Sequence, residues 1–285
     1  MTKRALDEAW RAHAGHVAWP TIALAAFVVA GHVGSWWVSL HALAPTWAVV
    51  GAATLLAYLA FTVMHEAAHG NVHGSRAPWR LLNELSGWTS GALLVAPFPA
   101  FRVLHLLHHS HTNHPEKDPD YWVAGRGLGV ALRCFTILPH YYGGFLFGGP
   151  SKTQAASRAR VKVIATMVCF AALAAGLSLA GFGRQVLFVW MLPAWLASGL
   201  LAFLFDWLPH HPHDVQERFR DTRAIAVPGL GLPTLGQNLH LVHHLYPRVP
   251  FYRYHRVFAE LRPELEAKGA PIVAMPTRPV EAPRG

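Results

Sequence analysis

The 285-residue chain is 53% apolar and only 14% charged, against about 25% charged in soluble domains, so a water-soluble globule is a poor description. Two well-separated cysteines, Cys134 and Cys169, exclude a disulfide framework and match no metal or redox spacing, so any metal must use other ligands. The formal charge of +9 admits nucleic acid, anionic lipid or an acidic partner, and the placement of the charges decides between them.

In chain order, the opening MTKRALDEAWRAHAGH carries acids as well as bases and leads directly into a long apolar run, so no cleavable signal is expected. Membrane spans are predicted over 17–40, 46–64, 163–182 and 186–205. Each holds about 19 to 24 residues, enough at about 1.5 Å per residue to cross a hydrocarbon core of about 30 Å. Short links over 44–46 and 183–185 join them into two hairpins. Another stretch, 85–100, is interrupted by Gly87, Gly91, Pro97 and Pro99 and reads as a re-entrant or interfacial segment. Residues 115–160 form a link rich in Gly, Tyr and Arg. After Arg248, PFYRYHRVFAELRPELEAKG predicts a short interfacial helix, and residues 259–285 are expected to form a flexible, Pro-rich tail.

With four spans, the N-terminus, residues 65–162 and residues 206–285 share one side. Those segments hold 3, 10 and 10 of the 24 Lys and Arg residues, and the opposite side holds Arg184 alone. That bias predicts that both termini are cytoplasmic, with the basic face toward anionic headgroups rather than nucleic acid; a bacterial inner membrane is the expected location. The expected fold is an all-α integral membrane domain over 1–285: four transmembrane helices in two hairpins with a cytoplasmic, histidine-rich helical cap.

The histidines cluster beside the predicted span ends. HEAAHGNVH offers His65, His69 and His73; HLLHH offers His105, His108 and His109; HLVHH offers His240, His243 and His244; PHHPHD offers His210, His211 and His213. Residues three and four apart share a helical face, so each HxxHH should aim its imidazoles at a common point. His111 and His114 turn away from it. Chance would supply HxxHH about 0.1 times in a chain of this composition, and there are two copies. Protonated together these rings would repel, whereas neutral imidazoles can all ligate metal. Eight or more around one cavity exceed the needs of one ion, so two metals are the natural count. Imidazole suits Zn, Cu, Fe and Ni alike, so the ligands do not name the metal.

Five acids flank these histidines: Glu66, Asp118, Asp120, Asp206 and Asp214. Each is a candidate to accept the far N–H of a coordinated imidazole, with helix capping or loop solvation as the competing role. Asn238 is a candidate cap for HLVHH. His13, His16, His32, His41, His140 and His255 read as structural or interfacial.

HEAAH, HLLHH and HLVHH, set among four spans, resemble the histidine boxes of the membrane fatty acid desaturase superfamily over about residues 45 to 258. Within it, HTNHPEKDPDYWV, DWLPHHPHD and HLVHHLYPRVPFYR are most similar to the bacterial carotenoid hydroxylases and ketolases. The resemblance implies a di-iron, O2-dependent oxidoreductase whose ligands lie in the boxes plus one histidine before the third. That implies His65, His69, His105, His108, His109, His240, His243 and His244, with His210 as the extra ligand and His211 as the next choice. It also implies desaturation or hydroxylation of an unactivated C–H in a long apolar lipid, a fatty acyl chain or a carotenoid. No HPGG segment of the cytochrome b5 kind and no flavin motif occurs, so electrons are expected from a separate donor, such as a ferredoxin docking on the basic face. Many acyl desaturases carry HxxxxH first and some carry QxxHH third; this chain departs from both. A metal transporter would need more polar groups inside the spans than His32 and a few hydroxyls, and a non-catalytic metal-binding scaffold is the third class.

Overall fold

Two uncharged runs make the first hairpin of the computed structural model, which describes residues 10–148 and 154–274. Most of the polar opening segment and the Pro-rich end beyond 274 lie outside the described residues. Helix α1 (Trp19–Leu40) starts with Pro20 in its first turn, where a missing N–H leaves no helical bond unmade. Ala42 turns the chain with φ 51°, and α2 (Thr46–Ala68) returns against α1. The two pack closely at Gly31, where a Cβ would lie 2.7 Å from Leu56 Cδ2. Helix α2 continues past residue 64 without a break, so His65 is helical.

Helices α3 (Arg80–Leu93) and α4 (Phe98–His111) follow, bent by 99° at the break between them. This is the segment expected to be re-entrant or interfacial. The bend depends on close approach: a Cβ on Gly91 would lie 2.6 Å from the Ala96 carbonyl oxygen, and one on Gly87 would run into the Phe98 ring. A 3₁₀ turn (Pro119–Val123) and the short helices α5 (Leu128–Phe135) and α6 (Ile137–Gly143) form the link.

Helix α7 (Gln154–Leu177) runs through a π turn (Ser178–Phe182) to Gly181, whose φ of 94° ends the helical path. The return limb comprises Gly183–Gln185, a π turn (Val186–Met191), α8 (Leu192–Leu201) and a last π turn (Ala202–Trp207). Unbroken, the 50 residues of Arg158–Trp207 would extend about 75 Å, far beyond a bilayer core of about 30 Å. Instead the limbs lie side by side, with Phe170 edge-on to Trp190 at 6.0 Å. Trp19–Leu40, Thr46–Ala68 and Arg158–Trp207 are each long and apolar enough to cross a membrane, and the bent α3–α4 pair makes a fourth if counted as one span. Their outer faces present large apolar side chains, such as Trp47 at 78% and Leu179 at 90% exposure, which suits lipid rather than water. Inside, α2 meets α8 through Ala57, Met64, Ala197 and Leu201, and Val163 of α7 packs on Ala100 and Leu104 of α4.

The fold is mostly helical, as expected, with one small addition: β1 (Ala224–Ala226) pairs in parallel with β2 (Ile272–Ala274), Ala224 opposite Ile272. The C-terminal part corrects two expectations. Residues 259–274 are not a flexible tail: they continue α10 (Tyr254–Ala267) and form β2. Nor does α10 turn its apolar stripe to the membrane interface. Tyr254, Val257, Phe258, Leu261 and Leu265 repeat at helical spacing and are buried against Leu239, Leu241, Val242 and Leu245. The stripe was legible, but its partner was the protein.

The bend makes a prediction. Gly91→Ala forces a methyl onto the Ala96 carbonyl and should destabilise the protein by about 1–3 kcal/mol, the usual cost of overpacking. A lowered unfolding midpoint in detergent is expected, and an unchanged midpoint would show that the α3–α4 contact is slack.

Candidate metal centre

Three helices and one loop deliver the histidines. His65 lies in the last turn of α2, and His69 caps it. His105, His108 and His109 occupy the end of α4. His240, His243 and His244 lie on α9 (His240–Leu245), and His210 follows the last π turn. The structure sorts these into two groups, His65, His69, His105, His109 and His243 in one, and His108, His210, His240 and His244 in the other. Within each group the potential ligand atoms lie within 4.8 Å of one another.

The expectation of a single aiming point for each HxxHH is therefore corrected. His105 and His109 enter the first group while His108 enters the second; His240 and His244 enter the second while His243 enters the first. Positions i+3 and i+4 of a helix are about 100° apart, so a helix lying between two points serves both. His211, the next choice for the extra ligand, lies tilted against the Trp207 ring instead; it belongs to neither group, and neither do His73, His111, His114 and His213.

All close approaches are between Nε2 atoms. In the first group His65 is 3.0 Å from His243, His69 is 2.8 Å from His105, His105 is 3.2 Å from His109, and His109 is 2.8 Å from His243. In the second, His244 is 3.2 Å from both His108 and His240. A metal–imidazole bond of about 2.1 Å gives nitrogens about 3.0 Å apart at a right angle and about 3.4 Å at the tetrahedral angle. The spacings thus fit neighbouring corners of a coordination shell. The buried Nε2 of His210 has no hydrogen-bond partner among the described residues, as suits a nitrogen reserved for a ligand bond.

The outer nitrogens are held. His108 Nδ1 is 2.8 Å from Asp118 Oδ1 and 3.3 Å from Asp120 Oδ2. His210 Nδ1 faces the Asp221 carbonyl oxygen at 3.3 Å, and His240 Nδ1 faces Gln237 Oε1 at 3.3 Å. Tyr254 and Thr112 hydroxyls lie 2.9 Å and 3.4 Å from Nδ1 of His243 and His244. An Nδ1–H donated outward leaves the Nε2 lone pair pointing in, the tautomer a ligand needs.

Of the five candidate acids, Asp118 and Asp120 reach a cluster histidine. Asp120 also accepts from the Tyr141 hydroxyl at 2.5 Å, and burial raises its carboxyl to about 6 despite the pull of His108. Asp206 lines the same cavity as Tyr141, and its carboxyl bonds no imidazole among the described residues. Glu66 turns to Asn71, whose Nδ2 donates to its Oε1 at 3.3 Å. One helical step from His65 carries it off the imidazole face. Asp214 is exposed and acts only as a charge near His211 and Arg223. Asn238 does not cap α9: its Nδ2 donates to the Ile225 carbonyl at 2.9 Å. Gln237, Thr112 and Tyr254 were missed. Gln237 and Thr112 sit one turn from a box histidine and so carry a local signal; Tyr254 carries none.

Burial holds the pKa of His210, His240, His243 and His244 well below 6.5, and neighbouring imidazoles lower it further. These rings are neutral, as ligation requires. His65, His105, His108 and His240 also line a cavity of about 70 Å³ walled by Phe61, Leu94, Phe101, Leu104, Leu201 and Phe205. A larger hollow of about 620 Å³, bordered by Trp122, Arg133 and His140, shares Leu104 and Tyr141 with it.

Residues 44–276 match the sequence family described as fatty acid desaturase. The chain belongs to the fatty acid desaturase family. It is 24% identical over 281 residues to the sn-1 oleoyl-lipid 12-desaturase of Picosynechococcus sp., covering 86% of this chain and 76% of that protein. It is 28% identical over 236 residues to the β-carotene ketolase of Paracoccus sp., covering 79% and 85%. The chloroplastic omega-3 fatty acid desaturase of Ricinus communis is 23% identical over 225 residues, covering 67% and 48%, so this desaturase-family chain spans about half of that relative. These relatives are oxidoreductases, and the family and the histidine groups are together consistent with iron.

Two predictions follow from the electrostatics and the outer bonds. The four buried imidazoles have depressed folded-state pKa values, so the unfolded chain binds more protons below about 6.5. Their contribution to stability is full above that pH and is lost as pH falls below it; a melting temperature of the metal-stripped protein that is flat from pH 7 to 5 would contradict this. Asp118→Ala should lower metal affinity by about 10- to 100-fold, whereas Asp214→Ala should leave it unchanged in chelator competition.

Proposed function

We propose that the protein is an integral-membrane di-iron oxidoreductase. It uses O2 and two externally supplied electrons to desaturate or hydroxylate an unactivated C–H of a long apolar lipid. One observation carries this reading: nine imidazoles converge in two groups beside an apolar cavity. His65, His69, His105, His109 and His243 would hold one iron, and His108, His210, His240 and His244 the other. When bound, the iron pair supplies the redox chemistry that activates O2.

The chain's own residues do the rest. The Phe, Leu and Ala walls of the inner cavity take the reacting stretch of substrate and keep water away from it. At about 70 Å³ that cavity holds only a short piece of a long lipid, and the remainder extends past Leu104 and Tyr141 into the outer hollow. Asp118 and Asp120 fix His108, and the Tyr141 hydroxyl holds its proton on Asp120. The substrate is a fatty acyl chain or a carotenoid; the Paracoccus ketolase relative supports carotenoid ring hydroxylation or ketolation as the narrower form.

In this reading one domain over 1–285 crosses a bacterial inner membrane four times, over 17–40, 46–64, 163–182 and 186–205. The Lys and Arg bias supports cytoplasmic termini and a cytoplasmic histidine-rich cap. A separate donor such as a ferredoxin docks on that basic face. Arg248, which donates to the carbonyls of His69 and Gly74 at 3.2 and 3.1 Å, is a cation of that face in direct contact with a ligand segment.

The test is a lipid and pigment profile of iron-replete cells, with and without β-carotene, expressing the chain and a ferredoxin system. New unsaturated or oxygenated products are expected, with about two irons per purified chain. His108→Ala should abolish product and His114→Ala should retain most of it. Full activity in His108→Ala would refute the ligand assignment, and an active protein with a single metal would refute the iron pair.

A further inference from the structure

Helix α5 (Leu128–Phe135) lies in the link between the hairpins, and its two faces depart from the pattern of a water-covered helix. Val130 and Cys134 are buried against Val123 and Ala202. The opposite face carries Leu128 at 92% and Leu132 at 68% exposure, four residues apart and so side by side. Gly129 and Ala131 are exposed as well, and Arg133 is the only charged residue of the helix. A helix with water on its outer side presents polar groups there, so apolar residues on both faces call for apolar cover on both.

The neighbours of α5 decide what that cover is. A Cβ on Gly199 of α8 would run into the Phe135 ring, so α5 is seated on the return limb, whose own Trp195, Leu200 and Phe203 are exposed. The last carbonyls of a helix lack partners within it, and indole N–H groups supply two of them. Trp122 Nε1 donates to the Arg133 carbonyl oxygen at 3.1 Å, and Trp195 Nε1 to that of Phe135 at 2.9 Å. An apolar ring with one donor suits the boundary between headgroups and hydrocarbon. From Tyr121 to Gly148 the chain holds two cations, Arg126 and Arg133, and no acid, which matches an anionic headgroup layer. Trp122 and Arg133 also border the outer hollow, so helix and hollow share a wall.

We infer that α5 lies in the membrane leaflet on the side of the histidine groups, with Leu128 and Leu132 in its acyl boundary, and forms a lip at which the outer hollow takes lipid sideways from the bilayer. The partner is membrane lipid rather than a second copy of the chain, because the outer face continues the apolar surface of the return limb and its flanking charge is all positive. The hollow shares Leu104 and Tyr141 with the inner cavity, so a chain entering beside α5 runs toward the histidines. The route rests on the long-lipid reading above; the seating of α5 does not.

The experiment uses full-length, metal-stripped protein in vesicles of phosphatidylcholine and phosphatidylglycerol, with a photoreactive diazirine on the acyl chain of a fraction of the phosphatidylcholine. After irradiation, mass spectrometry maps the lipid adducts. Adducts are expected on Leu128 and Leu132, on the hollow wall at Leu107, Trp122 and His140, and on the spans as an internal reference. The double variant Leu128→Glu, Leu132→Glu should melt like wild type in detergent, since neither side chain packs on protein. It should lose about tenfold in adducts on α5 and in the hollow while the spans label as before. Spans that label while α5 stays bare would overturn the inference, since water or a second copy would then cover the helix. A labelled α5 beside an unlabelled hollow, or a double variant whose hollow labels like wild type, would overturn the sideways route. A protein labelled as expected that makes no new lipid product would refute the proposed function alone, whereas product formation with a bare α5 would refute this inference alone.

Discussion

The angle of about 100° between helix positions i+3 and i+4 is the constraint on which the rest of the site depends. It makes HxxHH a two-way device rather than a single claw. Helix α4 gives two rings to one group and one to the other, and α9 returns the favour in reverse. Neither group can be assembled from one helix, so the site exists only where α4 and α9, distant in sequence, lie side by side. His65 and His69 then complete the first group and His210 the second.

The scaffold answers to that demand. The α3–α4 bend, held by Gly91 against the Ala96 carbonyl, turns α4 so that its last turns point at α9. Val163 of α7 braces α4 through Ala100 and Leu104, and α8 braces α2. The last π turn carries Asp206 to the wall of the inner cavity. Burial does the electrical part of the work. It keeps the second-group rings His210, His240 and His244 neutral, and the outward bonds from Nδ1 turn each lone pair inward.

Much of this was legible because it repeats along the chain. Long apolar runs mark the hairpin limbs, and Gly and Pro in 85–100 mark the bend. Three- and four-residue spacings mark eight of the nine histidines that the structure brings together, and only the resemblance to the desaturase histidine boxes points to the ninth, His210. Contacts between distant segments were not legible. Asp118 could be suspected from proximity, but proximity equally suggested Glu66, which points into packing, and Asp214, which points to solvent. Tyr254 lies on a segment whose aromatic, basic composition and spacing suggest an interfacial helix. Only the fold shows that its apolar stripe covers α9 and that its hydroxyl meets His243.

The central claim is that two metals sit in two separate imidazole groups. Anomalous scattering recorded on either side of the iron absorption edge, from crystals of the iron-loaded protein, tests it most directly. Two iron peaks are predicted, one enclosed by His65, His69, His105, His109 and His243 and the other by His108, His210, His240 and His244. A single peak shared by both groups, or iron bound away from these nine nitrogens, would contradict the account.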